Sequence, residues 1–206
     1  MKEISRTLGV ARSSASTWVR DVPLGPEQRA ELVFRSRLGP IVAGELKAAR
    51  ARDVRRGYQD KGRRLAHERD GSYASGCMLY WAEGDKCRNA VRVSNADPEV
   101  LVFFAKFLRE HFQVTSDRIV ISCNLFADHL EHQREIEDYW LTRLELPRAS
   151  LRKSMVNIYS KHSLKKRTNK LPYGTCKLVV HSTQTVQTIY GSIQEYGGFE
   201  RPEWLD

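Results

Sequence analysis

Residues 73–86 read Y-A-S-G-C-M-L-Y-W-A-E-G-D-K, and this stretch decides the fold. From Tyr73 to Ala82 the apolar side chains suit about three turns of a largely buried helix. The run then stops on Glu83, Gly84, Asp85 and Lys86. The C-terminal end of a helix carries partial negative charge, so a carboxylate there is disfavoured unless a cation stands beside it. Either Mg²⁺ or the Lys86 ammonium would meet that need. A plain core helix with an acidic last turn is the alternative. Gly76 and Gly84 supply small positions for close packing against a second helix, whereas Tyr80 and Trp81 are bulky.

Composition narrows the partners. The chain's 206 residues suffice for one mid-sized domain and a smaller one. No apolar run approaches the roughly 18 residues of a membrane span, and the polar N-terminus lacks the apolar region of a signal peptide. Cys77, Cys87, Cys123 and Cys176 are scattered without a C-x-x-C pair, which points to reduced thiols and a cytoplasmic location. The formal charge of +9 is the most informative quantity, because a strongly basic protein of this kind most often has nucleic acid as its partner. A membrane is not expected as one.

Outward from the quoted helix, the preceding residues divide in two. Residues 2–20 predict two short helices joined at Gly9-Val10, with Ile4 and Leu8 on one apolar face and Ala15, Trp18 and Val19 on the other. Arg12, Ser13, Ser16, Thr17 and Arg20 lie between, hydroxyl and guanidinium groups suited to phosphates and base edges. Pro26 starts a helix at its first turn, and Gly39-Pro40 is expected to break it. Residues 41–69 predict a basic, solvated helical linker interrupted near Gly57 and Gly62, its arginines either tracking phosphates or forming i,i+4 pairs. Asp70-Gly71 reads as a turn that closes the linker. The expected divisions are 1–24, 25–71 and 72–206.

Beyond the quoted helix, residues 90–95 predict a strand. Asp97 caps, Pro98 opens and Glu99 supports a helix to Phe112, with Leu101, Phe104 and Leu108 inward. Ile119, Ile121, Cys123 and Leu125 alternate in a half-buried strand. Asp128 is expected to cap a helix through Leu144. Residues 153–159 and 175–181 predict two further strands, and Thr183 opens a last helix. The order αβαβαββα predicts an α+β domain with a mixed or antiparallel sheet. Between the last two strands lies the densest basic run, S-K-H-S-L-K-K-R-T-N-K, in which Lys161, Lys165, Lys166, Arg167 and Lys170 are candidates to clamp phosphates. Cys123, His129 and His132 lack a fourth ligand and a paired spacing, so zinc is not expected there. Tyr139, Trp140, Phe103, Phe104 and Phe107 read as core.

Two resemblances attach to these residues. E-I-S-R-T-L-G-V-A-R-S-S-A-S-T-W-V-R resembles a helix-turn-helix of bacterial regulators and resolvases, departing from it at Ala11, where a Ser or Asp cap is usual. Such a unit normally has a further helix before Ile4. The expectation is that another part of the chain packs there or that the true start lies upstream of Met1. The helix ending E-G-D resembles the signature helix of the LAGLIDADG homing endonucleases, over roughly residues 73–194. Lys86 stands at that family's closing glycine and Tyr80 at its small packing residue. Together with S-N-A-D-P-E and L-P-Y-G-T-C-K, the chain is similar to a bacterial group in which a helix-turn-helix precedes one LAGLIDADG-like domain.

The resemblance implies that Asp85 and the Gly84 carbonyl hold Mg²⁺ in a nuclease, with Lys86 either orienting a phosphate or neutralising Asp85 and displacing the metal. A single signature helix implies a homodimer. In the bacterial group the Asp85 position varies, which implies the fold without obligatory cleavage. The function expected is therefore a sequence-specific double-stranded DNA-binding protein, regulatory in role, needing no cofactor to bind. The alternative is a Mg²⁺-dependent, site-specific endonuclease of homing type.

Overall fold

The computed structural model describes residues 2–126, 129–157 and 171–206. The expectations that fall on Asp128, on the end of the 153–159 strand and on the 160–170 basic run lie outside the described residues. The chain forms two compact units, Met1–Arg50 and Ala51–Asp206. The fold is α+β, with seven α-helices and a four-stranded mixed sheet among the described residues.

In the first unit α1 (Lys2–Leu8) and α2 (Arg12–Trp18) flank a turn at Gly9, whose φ of 64° favours glycine. Ser5 fastens that turn: its Oγ donates to the Val10 carbonyl at 2.6 Å, and the Val10 N–H donates back to the Ser5 carbonyl. Ala11 occupies the N-cap of α2 without a side-chain bond. The expected apolar face is only partly made. Ala15 is fully buried, but Leu8 and Trp18 are each 60% exposed. Two helices of seven residues offer too little area to cover an indole.

The third helix, α3 (Pro26–Glu68), corrects two expectations. It runs for 43 residues through Gly39-Pro40 and through Gly57 and Gly62 without a break. Pro40 removes one N–H from the ladder, but the carbonyl it strands belongs to exposed Ser36 and is left to water. The part of α3 beyond residue 50 is not a solvated spacer either: Arg55, Gln59, Gly62 and Ala66 are buried. Asp70 then caps the next helix by accepting from the Tyr73 N–H at 3.2 Å, so two residues, Arg69 and Asp70, make the whole connection.

The second unit continues with α4 (Gly71–Glu83), β1 (Val91–Asn95), α5 (Pro98–Phe112), β2 (Ile119–Phe126), α6 (Gln133–Arg143), β3 (Met155–Asn157), β4 (Thr175–Val180) and α7 (Thr183–Gly197). The strand order is β1-β4-β2-β3. β4 is antiparallel to both β1 and β2, while β3 runs parallel to β2. The local signals for α5 hold, with Asp97 accepting from the Glu99 N–H at 2.9 Å and Pro98 in the first turn. By contrast α6 starts at Gln133, with His132 at its N-cap. Phe104, Phe107 and Trp140 enter the core as expected, whereas Phe103 is 41% exposed.

The most deeply buried helix is α7, in which every residue from Thr185 to Gln194 is buried. Its crossing with α3 uses glycines on both sides. A Cβ on Gly62 would overlap the Thr188 carbonyl, and one on Gly191 would overlap the Gln59 carbonyl. The polar residues at this crossing bond one another, as buried amides must. Gln59 Nε2 donates to Gln187 Oε1 at 2.7 Å, Gln194 Nε2 donates to Gln59 Oε1 at 3.1 Å, and Ser192 Oγ donates to the Gly62 carbonyl at 2.8 Å.

Candidate nucleic-acid interface

Lys86 closes α4. Its ammonium donates to the carbonyls of Trp81 and Gly84, each at 2.7 Å, and to that of Tyr80 at 3.4 Å. These include the carbonyls that a helix end leaves without N–H partners, and a cation there also complements the helix dipole. Burial pulls the Lys86 pKa below its ordinary value, and neighbouring Asp85 opposes that shift. The Gly84 carbonyl, which the resemblance assigns to a metal, thus accepts from an ammonium.

Asp85 points elsewhere. Its backbone N–H donates to the Arg92 carbonyl at 2.9 Å, and its carbonyl accepts from the Tyr80 hydroxyl at 2.7 Å. The carboxylate is 52% exposed and lies 3.5 Å from the Arg92 guanidinium. Glu83, two residues earlier, accepts from Asn95 Nδ2 at 3.2 Å. Both acids therefore meet β1, and no group of three metal-ligating side chains occurs among the described residues.

The small positions of α4 serve its own chain. A Cβ on Gly76 would overlap the ring of Phe107 in α5. Tyr80 is fully buried and stacks on Phe104, with ring centroids 5.8 Å apart and 11° between planes. Neither residue faces outward toward a second copy of the helix, contrary to the pairing role expected of Gly76.

The sheet has two unlike faces. Val91, Val93, Ile119, Ile121, Cys123, Leu125, Cys176, Leu178 and Val180 are buried in the core. Their alternation partners form the other, less covered face. On it Ser94, Lys177 and Ser122 lie in register across β1, β4 and β2, and Arg92, Val179 and Val120 form the neighbouring row. Asn124 pairs with Thr175 on one side and Met155 on the other, and its Oδ1 has no hydrogen-bond partner. None of the four strands contains an aspartate or a glutamate. At the usual strand spacing of about 4.8 Å, the four present a surface roughly 14 Å across.

On α2, Arg12, Ser13, Thr17 and the following Arg20 are exposed, and Ser16 is half-buried. At about 100° per residue the four within the helix, Arg12, Ser13, Ser16 and Thr17, share an arc of about 140°, away from buried Ala15. Thr17 Oγ1 also donates to the Ser13 carbonyl at 3.1 Å. Lys161, Lys165, Lys166, Arg167 and Lys170 lie outside the described residues. The basic-polar face of the sheet was not singled out from the sequence, although the alternation in residues 119–126 contains it: if Ile119, Ile121, Cys123 and Leu125 point inward, then Ser122 and Asn124 point out. Among the described residues no helix is long and apolar enough to cross a membrane. No family model, curated protein or solved structure matches the chain.

Proposed function

We propose that the chain is a sequence-specific double-stranded DNA-binding protein, regulatory in role, whose LAGLIDADG-like second unit binds duplex without cutting it. The observation that carries this reading is the sheet face on which Arg92 and Lys177 stand, to which the four strands contribute no acidic residue and, among the described residues, only Asp85, paired with Arg92, brings a carboxylate from outside the strands. Cations attract the phosphate backbone, while serine, threonine and asparagine side chains supply neutral hydrogen-bonding groups for bases and sugars. The exposed arc of α2 supplies the second contact, as in a helix-turn-helix.

The homing-endonuclease reading is weaker on chemical grounds. A metal at the Gly84 carbonyl competes with a covalently tethered ammonium 2.7 Å away, and the Asp85 carboxylate has Arg92 beside it. This donor set does not suit Mg²⁺, which demands several oxygen ligands in octahedral array. A homodimer formed through α4 is disfavoured as well, because Gly76 is occupied by Phe107 of its own chain.

Selection from a randomised duplex library, with and without Mg²⁺, tests the proposal. Enrichment of a motif without strand breaks is the expected result. Replacing Arg92 and Lys177 together by glutamine should weaken binding to every duplex and flatten the salt dependence by about two units of slope. Absence of salt-dependent duplex binding would overturn the reading.

A further inference from the structure

At one end of the helical layer, away from the sheet face, a cavity of about 190 Å³ is lined by the end of α3, the end of α5, the 3-10 turn Ser116–Arg118 and the start of α7. Lys61, Arg69, His111 and Arg118 contribute to its wall together with Ser182, Thr185 and Thr188, and no carboxylate does. Among the described residues, Lys61, Arg69 and Arg118 form no ion pair, whereas Arg52, Arg56 and Arg63 of α3 each have a carboxylate partner. All three are exposed around this concavity, so an anion seated in it meets cations from α3, from the residue that follows it and from the 3-10 turn. A second, independent feature points to the same ligand. Thr188 is 2% exposed, yet its hydroxyl has no hydrogen-bond partner among the described residues, while its neighbours Gln187, Ser192 and Gln194 are all bonded.

We propose that this cavity is a binding site for a phosphate group. Its size excludes most drug-sized organic ligands, whose pockets start near 300 Å³, and suits one tetrahedral anion. Arg69 and Arg118 supply planar donor forks and Lys61 a point charge. Thr188, otherwise buried, supplies a hydroxyl donor from the cavity wall. The opening turn of α7, a helix of 15 residues, adds the favourable end of its dipole. The phosphate has two sources with the same chemistry: a free phosphate or phosphomonoester, or a diester of a nucleic-acid backbone. The site shares no residue with the strands, so it stands or falls separately from the sheet-face reading.

The test is titration of the full chain with inorganic phosphate at constant ionic strength, read by calorimetry and by the melting temperature, with chloride as the control. Saturable binding that chloride does not reproduce is expected, with at least about a tenfold loss in Arg69→Gln/Arg118→Gln. Thr188→Val, which preserves shape, should weaken binding several-fold while leaving the fold intact by circular dichroism. A response no different from chloride, or one unchanged in the double arginine variant, would overturn the site. Competition by a 5′-phosphorylated nucleotide alone identifies a monoester as the ligand; competition also by an unphosphorylated duplex identifies a backbone diester.

Discussion

Lys86 Nζ sits 2.7 Å from the carbonyl oxygen of Gly84, two residues back in the chain. The contact makes Lys86 the stopper of α4 rather than a free group beside a reactive acid. Lys86→Ala should therefore destabilise the protein by about 1 kcal/mol, the usual scale for a cation at a helix C-terminus. Urea denaturation provides the measurement. A midpoint equal to wild type would show that the ammonium contacts are idle.

The α3–α7 crossing allows a paired test. Gly62→Ala forces a methyl group into the Thr188 carbonyl and should cost roughly 2–3 kcal/mol by overpacking. Gly57→Ala lies in the same helix with nothing nearby, and should instead stabilise by about 0.5–1 kcal/mol through helix propensity. Equal effects at the two positions would show that no close crossing exists.

These two glycines also mark how far the sequence was legible. Elements with local signals were readable: Asp97-Pro98-Glu99 announced α5, and the alternation of Ile119, Ile121, Cys123 and Leu125 announced β2. Gly62 was misread as an interruption because its reason lies more than a hundred residues away, in Thr188. Pro40 was misread because a breaker rule is about cost, and a long exposed helix tolerates the loss of one bond. At the site, the motif located Asp85 and Lys86. The direction of each side chain depends on the chain reversing onto β1, which no local pattern encodes.

Alkaline pH should weaken the fold through Cys77. Burial pushes its thiol from 9.0 up to about 12, so the unfolded chain loses this proton at lower pH than the folded one. The stabilising contribution is complete below pH 9 and declines as pH rises toward 12, with a slope of up to about 1.4 kcal/mol per pH unit. Urea midpoints between pH 8 and 11 should fall less steeply in Cys77→Ala than in wild type. Parallel slopes would mean that the thiol ionises alike in both states.

The proposed function gives the reading of bases to α2, whose first residue is Arg12. Arg12→Ala should cost about 1–3 kcal/mol on the preferred duplex if the guanidinium pairs with a guanine, and much less on unrelated sequences. Fluorescence anisotropy on both duplexes separates the outcomes. An equal loss on every sequence would reassign Arg12 to a phosphate contact and place the specificity elsewhere.

The choice between binding and cutting turns on Asp85. A metal-dependent nuclease needs this carboxylate to hold Mg²⁺ with help from neighbouring oxygens. Here the preceding carbonyl, that of Gly84, already accepts from Lys86, and the carboxylate lies 3.5 Å from Arg92. Removing the negative charge frees Arg92 to meet phosphate, so Asp85→Asn should bind duplex at least as well as wild type. Binding by both proteins should persist in EDTA. The decisive measurement is incubation of wild type and Asp85→Asn with the selected duplex in Mg²⁺ and in Mn²⁺, followed by denaturing electrophoresis. Intact strands in all four reactions support a binding protein. Cleavage at one position by wild type, abolished in Asp85→Asn, would mean that Lys86 yields its carbonyl to a metal when DNA arrives, and the chain would then be an endonuclease.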